Sequence, residues 1–173
     1  MTTLEQTVRP GERLAPVRRT YVYIVAFISL AVALAGVSSL VDTLLRLWLD
    51  NPGSAYGMPG FSRGIAASAG LLLVATPIFL IHWALAQGHR EEAGERASFL
   101  RKGFLYAASA LSLGSLLVYA YLLIDSFTAT ALGVMPTDRG ALFSQWAASA
   151  LLAAMHTALL AYWYPDTYEF NRL

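Results

Sequence analysis

His82 and His156 are the side chains in this sequence whose type and placement best suit chemistry. Each lies inside a long apolar run, where a neutral imidazole can hold a metal through one ring nitrogen. His82 is about five and His156 about seven residues from the end of its run, so at 1.5 Å per residue their depths should agree to roughly one turn. Two such rings on facing helices suit the axial positions of a single haem b. A transition metal with three or four protein ligands fits less well, because no carboxylate or third histidine is expected at that depth. The alternative for a buried histidine is a structural hydrogen bond. Thr76, Thr157 and Tyr162 are the nearest partners for one. His89 falls in a charged stretch and reads as exposed.

Five charged residues make a second candidate. Asp42 and Arg46 are four apart, one turn along one helix face, where an ion pair forms readily. Asp125 occupies the corresponding place later in the chain, and the dipeptides Arg63-Gly64 and Arg139-Gly140 open two further apolar runs. Brought to one end of a bundle, Asp42, Arg46, Arg63, Asp125 and Arg139 would form a pseudo-symmetric ring. Ionisable groups in apolar spans are functional candidates by default. Near a helix end a structural clamp is the plainer reading, and it is the one adopted here.

Much other chemistry is missing. The chain has no cysteine, which removes disulfides, thiolate metal sites, iron–sulfur clusters and cysteine nucleophiles. No Gly-rich phosphate loop, His-Glu-x-x-His pattern or pair of carboxylates placed for acid/base work occurs. Ser109, Ser112 and Ser115 lack the Gly-x-Ser-x-Gly setting of a serine nucleophile and read as hydroxyls bonded to the preceding turn. The basic residues are few, interrupted by Glu91, Glu92 and Glu95, and not interleaved with aromatics, which argues against a nucleic-acid surface. No catalytic residue is assigned.

The elements that position these residues follow from composition. The chain is 57% hydrophobic and 13% charged, too little polar surface to cover a soluble globule. Four uncharged or nearly uncharged runs exceed the roughly 20 residues that cross about 30 Å of hydrocarbon. Spanning segments without period-2 alternation must be helices, because lipid offers backbone amides no partner. The expected fold is therefore all-α, with four transmembrane helices at about residues 20–48, 64–88, 101–131 and 139–164. A tail over residues 1–19 is expected to be flexible or interfacial, and a short tail follows at 165–173. Asn51 to Ser62, rich in Gly and Pro, the charged stretch His89 to Phe99, and Gly133 to Asp138 are the expected connections.

Arg9, Arg13, Arg18, Arg19, Arg90, Arg96, Arg101, Lys102 and Arg172 fall on one side of this topology; Arg46, Arg63 and Arg139 fall on the other. The positive-inside rule then puts both termini in the cytoplasm. The basic flanks attract anionic lipid by about 1 kcal/mol per charge close to the surface. Ala33, Leu34 and Ala35 imitate a signal-peptide cleavage site, but apolar sequence continues past them, so an uncleaved helix is expected. The first and third spans also align in one register: Arg18 with Arg101, Arg19 with Lys102, Tyr21 with Phe104, Tyr23 with Tyr106, Ser29 with Ser112, Leu40 with Leu123 and Asp42 with Asp125. That register reads as a tandem repeat of a two-helix unit.

Small residues recur at helical spacing, Ala31, Ala35, Ser39 and Asp42 in the first span and Ala150, Ala154, Thr157, Ala158 and Ala161 in the fourth. Such faces let helix backbones approach closely. Trp48, Trp83, Trp163, Tyr21, Tyr23, Tyr162 and Tyr164 lie near span ends and are expected among lipid headgroups. Pro77 is expected to kink the second span. The expectation is a non-enzymatic subunit of a membrane assembly, or a homo-oligomer, whose partners are the bilayer and other membrane chains and which needs no cofactor. A haem b electron carrier using His82 and His156 is the alternative. A small oligomeric transporter, with Asp42, Asp125 and the Pro77 kink along a path, is a third.

The segments Arg18-Arg19-Thr20-Tyr21-Val22-Tyr23, Arg101-Lys102-Gly103-Phe104-Leu105-Tyr106 and Ile81-His82-Trp83 resemble an uncharacterised bacterial integral-membrane family, a domain of unknown function with four predicted helices associated with filamentous green phototrophs and their relatives. The resemblance covers about Arg18 to Tyr164. It implies a four-helix fold in the bacterial inner membrane and supplies no activity; His82 and Trp83 would match its second-helix pattern.

Overall fold

A computed structural model describes residues 10–49, 59–88, 98–134 and 139–171, with side chains described over 17–49, 62–88, 98–134 and 141–166. It is all-helical: α1 (Pro10–Leu49), α2 (Pro59–Gly88), α3 (Phe99–Ala131) and α4 (Arg139–Asn171). Each contains a stretch long and apolar enough to cross a membrane, Val17–Leu49, Ser62–Gly88, Phe99–Ala131 and Ala141–Asp166. No helix has a one-sided apolar stripe, because both the inward and the outward faces are apolar. Leu73, Leu117, Ile124 and Phe127 are among many large side chains left exposed. Such a surface is stable against hydrocarbon and not against water.

The helices outrun the apolar sequence at both ends of the chain. α1 begins at Pro10 rather than near Thr20, and α4 continues through Pro165 to Asn171 rather than stopping at Tyr164. The limit of an apolar run marks the membrane boundary, and a helix can continue beyond it into water. Proline at the first helical position costs nothing, since that N–H has no intrahelical partner. α2 likewise starts at Pro59, inside the stretch expected to be a turn. α3 ends at Ala131 on a glycine-built stop. Gly133 adopts φ 68°, Val134 N–H donates to the Ala129 carbonyl at 3.0 Å and Gly133 N–H to that of Thr130 at 3.1 Å. This is a Schellman stop, and the left-handed residue it needs is the glycine. The residues read as His89, Arg9, Arg90, Arg96 and Arg172, the turn 51–58 and the end of the third connection lie outside the described residues.

α1 packs most extensively on α2, and α3 on α4; α1 also runs along α4 and, over a shorter length, along α3. Close approach of α1 and α2 depends on Gly36. A Cβ built there would lie 3.1 Å from Leu72 Cγ and 3.3 Å from Leu71 Cβ. One turn nearer the α1–α2 connection, buried Ser68 donates to the Gly64 carbonyl at 2.9 Å and lies 2.8 Å from the Ser39 hydroxyl. Interhelical hydrogen bonds of this kind contribute about 0.6 kcal/mol in membranes. By contrast, a Cβ on Gly114 meets nothing. Gly36→Val should therefore destabilise the bundle by about 1–3 kcal/mol through overpacking, while Gly114→Ala leaves monomer stability unchanged or slightly raised. Thermal unfolding of the two variants in detergent, followed by circular dichroism, measures both.

Candidate functional site

A buried core cluster lies toward the end where α1 and α3 begin and α2 and α4 finish. Each helix sends one aromatic ring inward there: Tyr23, Trp83, Phe104 and Trp163, all buried. Trp83 stacks on Phe104 with centroids 5.2 Å apart and meets Trp163 edge-on, also at 5.2 Å. Phe104 meets Trp163 at 5.9 Å and Tyr23 at 5.7 Å, and Phe79 extends the stack along α2. Trp83 Nε1 donates to the Tyr162 hydroxyl at 3.2 Å, so the indole dipole is satisfied inside an apolar cluster. Aromatic pairs in such geometries contribute about 0.5–1.5 kcal/mol each beyond area burial.

One turn further out, a charged residue closes the cluster. Arg101 is 3% exposed, an unusual state for a guanidinium. Its Nη2 lies 3.5 Å from Asp166 Oδ2 and donates to Gln87 Oε1 at 3.4 Å. Arg101 begins α3, Gln87 ends α2 and Asp166 lies near the end of α4, so one side chain ties three helices. This differs from the sequence expectation, in which Arg101 was an orienting charge in a solvated flank. The difference has a helical cause. Gln87 follows Trp83 by one turn, Asp166 follows Trp163 by three residues and Arg101 precedes Phe104 by three, so all three share the inward faces of those rings.

The aromatic belt is corrected in the same way. Trp48, Tyr21, Tyr162 and Tyr164 are exposed near helix ends as expected, but Trp83, Trp163 and Tyr23 turn into the core. Closeness to a span end set their depth, whereas the side of the helix set their environment.

The histidines are placed apart. His82 is half-buried, its Nδ1 2.8 Å from the Ile78 carbonyl and its ring edge-on to Tyr21 of α1 at 5.6 Å. It adjoins Trp83, which touches Trp163, whereas His156 lies two turns before Trp163, about 10 Å deeper along α4. Their expected agreement in depth to one turn is not what the structure gives. His156 is 1% exposed and stacks on Tyr119 of α3 with centroids 5.8 Å apart. Neither ring nitrogen has a hydrogen-bond partner. Of the side chains expected to serve it, Thr157 donates to the Ala153 carbonyl at 2.9 Å and Tyr162 accepts from Trp83. Ser112 Oγ, on the same face of α3 as Tyr119, is also buried without a partner. Among the described residues no three His, Asp or Glu side chains gather as a metal site would need.

Of the charged residues at the opposite end whose side chains are described, Asp42 and Arg46 meet. Arg46 Nε donates to Asp42 Oδ2 at 2.9 Å, with the two side chains 53% and 45% exposed. Arg63 and Asp125 are exposed and make no ion pair among the described residues. Arg139 opens α4, and its side chain lies outside the described residues. Among the described side chains, these groups form one local i,i+4 pair.

A family model described as a domain of unknown function, DUF5671, matches residues 19–159. The chain belongs to the DUF5671 family. The matched region starts at the Arg19 flank of α1, contains both histidines and the Trp83–Phe104 stack, and stops before Trp163 and Asp166. No curated protein and no solved structure matches the chain.

For this DUF5671 chain the two arginine pairs should differ sharply in their effect on stability. Arg101→Gln leaves Asp166 and Gln87 facing a shortened partner and should cost about 2–3 kcal/mol. Arg46→Gln should cost less than about 0.5 kcal/mol, because exposed i,i+4 pairs are weak. Unfolding in detergent of the two variants side by side gives the comparison.

Proposed function

We propose that the chain is a non-catalytic accessory subunit of a membrane assembly, or a homo-oligomer, set in the bacterial inner membrane with both termini cytoplasmic and built as a duplicated two-helix unit. The observation that carries this reading is the small-residue face of α4. Ala150, Ala154, Thr157, Ala158 and Ala161 are all exposed, so the bundle's own packing leaves that face open. Without a hydrophobic drive between helices in lipid, a continuous small-residue face is the surface on which another helix can approach closely. The orientation is supported by the distribution of basic residues. The duplication is supported by Ser29 and Ser112, aligned in the internal register and both buried. Arg101 and Phe104 are buried while their counterparts Arg18 and Tyr21 are exposed, so the two units have diverged in use.

A second reading, a haem b carrier with His82 and His156 as ligands, is favoured by one observation: both ring nitrogens of buried His156 are without partners, at a cost that a bound group would remove. It requires the two rings to come to a common depth.

Extraction from the native membrane in mild detergent separates the two readings. The packing role predicts an assembly well above the 18.8 kDa of the chain, after correction for detergent and lipid, with no absorption above the aromatic band. A lone monomer would count against it. A reducible Soret band that disappears in both His82→Ala and His156→Ala would establish the haem reading instead.

A further inference from the structure

Four grooves on the described surface differ in what lines them. Three are walled by apolar, small or aromatic residues with at most a serine, threonine or tyrosine hydroxyl. The fourth, of about 220 Å³, lies between the start of α1 and the end of α2, and its wall contains Arg18 and Arg19. Its remaining wall is Tyr21, Val22 and Tyr23 from α1 and Leu85 and Ala86 from α2.

We propose that this groove binds one anionic phospholipid, its phosphodiester held by Arg18 and Arg19 and the top of one acyl chain lying against Val22 and Leu85. Three features of the site fit that occupant. The first is charge: two arginines share a wall that is otherwise apolar or aromatic, the complement of an amphiphile with an anionic head. Guanidiniums suit phosphate because their donors form a planar fork. The second is depth. The uncharged run of α1 begins at Thr20, directly after the two arginines, and that of α2 extends to Gly88, so the arginines sit where headgroups are and Leu85 sits where chains begin. The third is continuity. Below Leu85 the same side of α2 presents Ile81 and Ile78, both exposed, as a track for the rest of the chain.

His82 takes a part in shaping the groove. With Nδ1 held by the Ile78 carbonyl, its ring supports Tyr21 edge-on and keeps that phenol in the wall, where its hydroxyl can donate to a phosphate oxygen. The proposal rests on the membrane-spanning reading. It does not depend on the accessory role, which is read from assembly mass and absorption.

Native mass spectrometry of the delipidated full-length protein in mild detergent tests it, with dioleoyl phosphatidylglycerol, dioleoyl phosphatidylcholine and inorganic phosphate as probes. One phosphatidylglycerol should be retained, and Arg18→Gln/Arg19→Gln should weaken it by about thirtyfold, or roughly fivefold per charge. Leu85→Trp, which fills the floor at an exposed position and keeps both arginines, should weaken it as well. Arg63→Gln, at the opposite end, should bind like the wild type. Equal retention of phosphatidylcholine would overturn the proposal, as would full competition by inorganic phosphate. Undiminished binding by Leu85→Trp would also overturn it, since the arginines would then act as diffuse surface charge. Leu85→Trp keeps the test decisive if the double arginine variant does not fold, and helical content by circular dichroism checks each variant.

Discussion

In hydrocarbon a leucine gains nothing by exchanging a lipid neighbour for another leucine, so helices that cross a membrane associate only where shape or polarity gives them a reason. The structure can be understood from this constraint. Backbone amides must be satisfied within each segment, which makes the four spans helical whatever their side chains prefer. Contact between the helices is then concentrated at a few specific features. Gly36 lets α1 and α2 approach, Ser68 and Ser39 link the same pair, and four inward rings with the Arg101–Asp166–Gln87 clamp gather all four helices at one end.

The clamp and the rings support each other. Arg101 can be buried because Asp166 and Gln87 meet it with polar atoms, and those atoms are in place because the rings one turn inward fix the rotation of α2, α3 and α4. A guanidinium removed from water without such partners would cost several kcal/mol. At the far end no comparable arrangement exists among the described residues. Among the described residues there, Asp42 and Arg46 pair within α1, Ser68 and Ser39 link α1 to α2, Phe127 of α3 packs on Trp146 of α4 at 5.4 Å, and the Schellman stop at Gly133 ends α3. The two ends are thus held differently, one by a buried charge and four rings, the other by smaller separate contacts. The outward α4 face and the grooves beside α1 are left uncovered by the described residues of the bundle.

Much of the fold could be read directly from residue types. Uncharged runs longer than a bilayer is thick left helices as the only solution, and Gly133 before Pro136 marked the end of α3. Helix ends beyond the apolar runs were not legible, because no change of composition separates a helix in lipid from its continuation in water. Facing was the larger gap. Tyr23, Trp83 and Trp163 have the types and depths of headgroup anchors, and which side of its helix each occupies depends on how the helices rotate against one another. A signal was nonetheless present: Gln87, Arg101 and Asp166 each stand three or four residues from an inward ring. His156 was legible as a buried histidine, whereas its lack of any hydrogen-bond partner is a property of the packed structure. Helical spacing joins Asp42 to Arg46, while nothing in a sequence brings Arg63 or Asp125 across to them.

The face of α4 on which the proposed role depends can be probed in the native membrane with a photo-crosslinking amino acid placed at Ala154 or Ala158, and at Leu73 or Leu117 as exposed, lipid-facing controls. Packing on a partner predicts protein adducts from the two α4 positions and lipid adducts alone from Leu73 and Leu117. Lipid adducts alone from all four positions would contradict it.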